Sequence, residues 1–387
     1  MKFNKIIFVR YLPLTQKISE DFYFEEISSS GIKVEYWDVS FILNGVSQIG
    51  EFKCELSRHF SSYSEIKKAI KREEICSTLF VLIMTYNGDV LRLYSLLSHY
   101  RCKLGVFGKN MFPTAPFSSR SVLSSSVITW RFIKKVVLNK LSILAKRYHL
   151  VKGYDIIFLA GRKGADGIGR VSPEEVAAAD VVKINSDDYD RGLRMLGQKN
   201  EREIDYKYAV FLDEYLPLHQ DLEIAGMQPI SPELYYDSLN KTFSYLESKY
   251  GVKVVVAAHP KAIRYKEEDF FDGRKLFWGK TAELCRDCEF VLAHDSTSVN
   301  YAVMNHKPII SLISDDIEKT SPMIADSIKA FSSYLHTYLM NIDKPQIENI
   351  KLIVDEEAYK NFKYDFLTSP ESENELTPVL LAQYLQR

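Results

Sequence analysis

The chain has 387 residues, 46% of them hydrophobic and 26% charged, which excludes a disordered, collagenous or coiled-coil protein and is too long for one compact core. Its formal net charge of −1 offers nothing to a polyanion on average, and no stretch approaches the ~20 apolar residues of a spanning helix. Five scattered cysteines (Cys54, Cys76, Cys102, Cys285, Cys288) fit free thiols in a reducing compartment.

The opening "MKFNKIIFVRYLP" has neither a long apolar core nor a small-residue cleavage site, so no secretory signal is expected and the cytoplasm is the expected location. Strand patterns follow at 5–10, 32–39, 78–84 and 103–108, then at 154–161, 181–185 and 208–214. The series ends with 252–258, 289–294 and 307–313. Helix-length pieces separate them, which predicts βαβ units and parallel sheets. Two helix starts are explicit, "SPEE" at 172–175 and "SPEL" at 231–234, the second running to Gly251. The charged stretch 198–207 marks the expected domain boundary.

Charge is segregated along the chain. From Leu91 to Tyr154 there is no Asp or Glu against twelve Lys and Arg, so the remainder is acidic. Within this stretch Trp130, Ile133, Val137, Leu141, Leu144 and Tyr148 recur at helical spacing, with Arg131, Lys134, Lys135 and Lys146 mostly opposite. The expectation is a helix packed on the core through its apolar face. The functional alternative is a surface over 120–150 for anionic lipid or a lipid-linked acceptor, that is, peripheral contact with the inner face of the membrane. No nucleic-acid recognition motif accompanies the charge.

Three later strands end in polar clusters. "YAVFLDEY" brings Asp213 and Glu214 to one strand end, "VVVAAHPK" brings His259, Pro260 and Lys261 to a second, and "FVLAHDSTS" brings His294, Asp295, Ser296, Thr297 and Ser298 to a third. Ligands of open α/β sheets bind beyond the carboxyl ends of the strands. There a histidine can donate to a phosphate, and hydroxyls at a helix start can join it. A carboxylate can act as general base or as nucleophile. Gly279, Lys280 and Thr281 in "WGKTAEL" are supplementary nucleotide contacts, and Asp221 in "LHQD" remains a further candidate carboxylate. Two weaker motifs complete the survey. "GRKGADGIGR", 161–170, reads as a mobile loop whose Arg162 or Lys163 touches substrate, and "NSDDYDR", 185–191, as a capped turn in preference to a Mg²⁺ site. The C-x-x-C of Cys285 and Cys288 lacks a second pair and reads as structural.

The order of an acidic motif ("DEY", 213–215), a His-Pro strand end (259–260) and a Ser/Thr cluster ("STS", 296–298) resembles bacterial sialyltransferases of the GT-B fold. It is also similar to the Kdo transferases of capsule and lipopolysaccharide assembly. The resemblance covers roughly residues 205–312, and Tyr215 stands where the sialyltransferase pattern has glycine. It implies an α/β, GT-B-like fold of two Rossmann-like domains facing across a cleft. Residues 1–205 would bind the acceptor, and 206–387 the nucleotide sugar, with a closing C-terminal helix. It implies a metal-independent glycosyltransferase, without cofactor, that moves a CMP-activated nonulosonic acid (sialic, pseudaminic or legionaminic type) or Kdo onto a glycan or lipid-linked glycan. Asp213, Glu214 and His259 would be catalytic, with His259, Ser296 and Thr297 holding the departing CMP. The segment 290–312 is similar as well to polyol-phosphate transferases that use CDP donors. The alternatives are therefore a CDP-polyol phosphotransferase, a nucleotide-sugar epimerase, or a non-catalytic nucleotide-sugar-binding component.

Overall fold

The structure, a computed structural model, describes residues 2–45, 55–113, 130–196, 202–219, 230–346, 348 and 350–387. It divides into two compact units. One holds the chain up to Met111, the stretch that ends at Asp187, and Asp365–Arg387; the other holds Asp188–Tyr364. The described part of the charged stretch, 202–207, leads into the first strand of the second unit.

The first unit contains β1 (Lys5–Arg10), β2 (Lys33–Asp38), β3 (Ser57–His59), β4 (Thr78–Leu82), β5 (Lys103–Gly108), β6 (Ile156–Ala160) and β7 (Asp180–Ile184). They form one parallel sheet in the order β3-β2-β1-β4-β5-β6-β7. Successive residues serve opposite faces, as the period of two demands. Ile7, Val9, Phe80 and Leu82 enter one core cluster, while Ile6, Phe8, Leu79 and Val81 enter another. The second core is completed by the helix Thr377–Leu385, whose Leu381 and Leu385 are fully buried and whose Leu385 carbonyl accepts from the Phe3 N–H at 2.7 Å.

The second unit contains β8 (Tyr208–Leu212), β9 (Lys253–Ala257), β10 (Leu276–Phe277), β11 (Phe290–Ala293), β12 (Ile309–Ile313) and β13 (Tyr338–Asn341). They are parallel in the order β10-β9-β8-β11-β12-β13. In each sheet the chain winds outward from its first strand through the second and third, then reverses with the fourth. That is the Rossmann order, and it leaves a crevice between the first and fourth strands. The chain thus carries the two Rossmann-like α/β units expected of a GT-B-like fold.

Three local expectations are corrected. The segment 161–170 is not a loose loop: it forms a short 3-10 helix, Gly164–Ile168, and its glycines permit backbone contact. A Cβ on Gly161, which has φ +70°, would lie 2.4 Å from the Asp365 carbonyl oxygen, and one on Gly164 would lie 2.4 Å from that of Gly108. Arg162 pairs with Asp365. The acidic run at 185–191 opens a helix, Asp187–Leu196, in which Asp187 binds Lys109 and Asn110 while Asp188 binds Asn300 and Tyr301.

The third correction concerns the basic stretch. The helix Trp130–Arg147 does not bury its apolar stripe, and Val137, Leu141, Leu144 and Tyr148 are exposed. It packs instead through Ser142, Ala145 and Asn139, whose Oδ1 accepts the Gly88 N–H at 2.9 Å. The approach is close enough that a Cβ on Gly88 would lie 2.5 Å from the Leu138 carbonyl carbon, so only the face with small residues fits.

Candidate functional site

The parallel register sets the ends of β8, β9 and β11 level, with Leu212 beside Ala257 on one side and Ala293 on the other. The residues after β8 therefore stand between those after β9 and those after β11, and the crevice of the second unit opens on the β11 side, between its first and fourth strands.

Asp213 is the buried member. Its Oδ1 accepts the Tyr215 N–H at 3.0 Å and the Tyr265 hydroxyl at 3.1 Å, and its Oδ2 accepts the His259 N–H at 3.1 Å. The carboxyl ties β8 to β9 and fixes the turn that follows. Burial pushes its pKa up to about 6, against the three donors that pull it down. Tyr215 takes up φ +56°, left-handed backbone that favours glycine, and its ring packs edge-on against Tyr265 with centroids 5.2 Å apart. The residue that departs from the sialyltransferase pattern is thus the one held in this backbone state.

Glu214 points the other way, toward β11. Its Oε2 accepts the Asp295 N–H at 3.3 Å, and the two half-buried carboxyls hydrogen-bond each other, which requires one of them to hold a proton. Burial raises both pKa values, and the facing charge of Asp295 raises that of Glu214 further, well above the ordinary carboxyl range. Asp295 also hydrogen-bonds Ser327. Such a pair can take up and return a proton.

His259 follows β9. Its Nδ1 accepts the Lys261 N–H at 3.2 Å, so the neutral ring carries its proton on Nε2, where it can donate. Its ring lies edge-on to that of His219, with centroids 5.1 Å apart. Pro260 and Lys261 are exposed beside it.

His294 is a correction to the expected nucleotide contacts. It is fully buried, with Nδ1–H donating to the Leu312 carbonyl at 2.8 Å and Nε2 accepting from the Tyr235 hydroxyl at 2.8 Å. Both ring nitrogens are engaged inside the protein. Burial lowers its pKa to about 4, so the ring is neutral and structural.

Ser296, Thr297 and Ser298 lead into a helix of six residues, Val299–Met304. Thr297 is exposed; the Ser296 Oγ receives the Ser298 N–H at 3.4 Å. Their hydroxyls lie one to three residues beyond the Glu214–Asp295 pair, but the helix is too short to add much of a dipole. Gly279, Lys280 and Thr281 follow β10 and are separated from β8 by β9. Gly279 makes a turn at φ +69°, and the Lys280 ammonium pairs with Glu203 at 2.8 Å. Asp221 lies outside the described residues.

Sequence reading missed the partnership of Asp295 with Glu214. The signal was present in the register, because each acid stands two residues past the end of neighbouring parallel strands.

No family model matches the chain and no curated protein matches it. Solved structures do. UDP-GlcNAc 2-epimerase from Methanocaldococcus jannaschii aligns with a TM-score of 0.48 at 13% identity, covering 100% of this chain and 99% of that one. The glycosyltransferase SnogD from Streptomyces nogalater aligns with a TM-score of 0.48 at 9% identity, covering 100% and 99%. The spinosyn rhamnosyltransferase SpnG, complexed with thymidine diphosphate, gives 0.43 at 10%, covering 99% and 94%. These are distant likenesses of fold and assign no activity. Among the described residues, no helix is long and apolar enough to cross a membrane.

Proposed function

We propose that the protein is a glycosyltransferase that uses a nucleotide-activated sugar, with the nucleotide seated at the strand-end crevice of the second unit. The donor we favour is a CMP-activated nonulosonic acid or Kdo, on the strength of the acidic, His-Pro and Ser/Thr motifs. One observation carries the reading: Glu214 and Asp295 meet where the sheet reverses direction, the place where such sheets bind ligands, and His259 follows the adjoining strand β9, whose end is level with that of β8. In this reaction the acceptor hydroxyl attacks the anomeric carbon, and its proton passes to the Glu214–Asp295 pair. The bond to the phosphate oxygen breaks, and CMP leaves with the electron pair. The Nε2–H of His259 and the hydroxyls of Ser296 and Thr297 donate to the departing phosphate. Asp213, expected as the catalytic carboxylate, is in this reading the residue that positions His259 and the 214–215 turn. The acceptor is a surface glycan, and free thiols at Cys76, Cys102, Cys285 and Cys288 are in keeping with a cytoplasmic site of action.

The test is calorimetric titration with CMP, CDP, UMP and UDP, repeated on His259→Ala. Selective CMP binding that weakens at least tenfold in the variant is expected. Preference for a uridine nucleotide would move the donor to another class, and binding of none would remove the reading. An epimerase is the second reading, favoured by the same carboxyl pair, since a shared proton can be taken from a carbon and returned. Transfer releases free nucleotide in the presence of acceptor; epimerisation leaves the nucleotide sugar intact.

A further inference from the structure

The helix Trp130–Arg147 presents a face that the described residues of its unit leave exposed. Val137, Leu141, Leu144 and Tyr148 are 48%, 47%, 43% and 66% exposed. At 3.6 residues per turn they share an arc of about 60°. Tyr148 belongs to the stripe because its N–H still bonds the Leu144 carbonyl at 2.9 Å. Exposed cations flank the stripe on both sides: Lys134 on one, Lys140 and Arg147 on the other. Leu150, just past the helix, is 73% exposed. No acidic residue occurs anywhere from Leu91 to Tyr154. Lys146, on the same helix, turns inward to Glu175 at 2.9 Å.

A large apolar patch on a soluble surface calls for an occupant. A core-facing stripe is excluded by the packing, because the inner side of this helix is Asn139, Ser142 and Ala145. A cavity of about 790 Å³ opens beside the helix, with Ile143, Val151, Val171 and Ala178 in its walls and with Arg147 and Arg170 lining it together with Glu174 and Glu175. Apolar surface therefore extends beyond the helix itself.

We propose that this face lies on an anionic phospholipid surface, with the Val137–Leu141–Leu144–Tyr148 stripe among the acyl chains and Lys134, Lys140 and Arg147 at the headgroups. Charge complementarity selects this occupant. A second copy of the chain would bring the same cationic helix, which has no acidic residue of its own, against itself, whereas a leaflet of anionic lipid supplies counter-charge along the whole length of the helix. Long Lys and Arg side chains reach outward from an embedded stripe as this geometry requires. The inference does not depend on the nucleotide reading, because neither the crevice nor any donor enters it.

The test is co-sedimentation of the full chain, without nucleotide, with phosphatidylglycerol–phosphatidylcholine vesicles and with pure phosphatidylcholine vesicles. Binding to the anionic vesicles is expected, weakening as salt is raised. Lys134→Ala/Lys140→Ala/Arg147→Ala should lower the partition on the order of 100-fold, at about fivefold per cation. Leu141→Asp/Leu144→Asp should lower it at least tenfold, with an unchanged thermal unfolding curve because both side chains are already exposed. Failure to bind anionic vesicles would overturn the proposal. So would equal binding to both vesicle types that the triple variant leaves intact, or a dimer in solution that Leu141→Asp/Leu144→Asp dissolves without any vesicle binding in the parent chain.

Discussion

Replacing Asp213 with asparagine separates the structural carboxyl from the reactive one. In the fold Asp213 titrates at about 6, against an ordinary value of 3.8. A carboxyl whose pKa is raised by folding favours the native state when protonated, so its contribution is complete below the ordinary value and is lost as pH rises through about 6. That difference corresponds to about 3 kcal/mol. Asparagine carries no such titration, but it turns an NH₂ group toward one of the backbone N–H groups that Asp213 satisfies, at Tyr215 or His259. An unpaired buried donor costs about 1–3 kcal/mol at every pH. Asp213→Asn should therefore be the less stable protein at pH 4 and should draw level with, or overtake, the parent above pH 6. Urea unfolding of both proteins across that range measures the gap directly. A stability difference that stays constant with pH would refute the reasoning, because it would mean that Asp213 keeps the same pKa folded and unfolded.

Glu214→Gln should reduce turnover by about 10²–10⁴-fold without loss of stability, since it removes one of two carboxyls that burial and mutual repulsion disfavour; normal turnover would end its role. Asp295→Asn should move the acidic limb of the pH–rate profile to lower pH, because the facing charge that raises the Glu214 pKa is gone; an unmoved limb would show that the two do not titrate together. His294 should remain neutral down to about pH 4 with its proton on Nδ1, as nitrogen NMR would read, and a midpoint near the ordinary 6.5 would contradict its burial between Tyr235 and Leu312. Below 6.5 the unfolded chain binds that proton and the folded one does not, so His294 also makes the protein lose stability as pH falls from 6.5 toward 4.

The ten strands expected from the sequence are all present, within about two residues at each end. They are legible because interior strands of a parallel sheet are apolar on both faces; β4, β6, β8 and β12 are buried at every position. The strands that sequence patterning missed are β3, β10 and β13, all at sheet edges. Residues such as Ser57–His59 have one neighbouring strand and little apolar content to announce them. The site was half legible. The strand-end positions of Asp213, His259 and His294 followed from the apolar runs before them, but their orientation did not. Whether an acid at a strand end turns toward the second strand, as Asp213 does, or toward the fourth, as Glu214 does, is settled by strand order. The inverted packing of the Trp130–Arg147 helix was illegible for a related reason: periodicity finds an apolar face but not what lies opposite it, and the close approach at Gly88 selected the other side.

The return of Thr377–Leu385 to the first unit bears on how the protein is made. As the chain leaves the ribosome, β1 emerges long before its cover, because the helix that shields Phe3, Ile6 and Phe8 appears only after all of Asp188–Tyr364 has been synthesised. The second unit, continuous in its described span from β8 to β13, has every strand in hand before the first unit can close. The usual order, in which the N-terminal domain finishes first, is thereby reversed. During that interval the face of β1 that carries Ile6 and Phe8 lacks its final cover, and it is the surface a nascent-chain chaperone would meet.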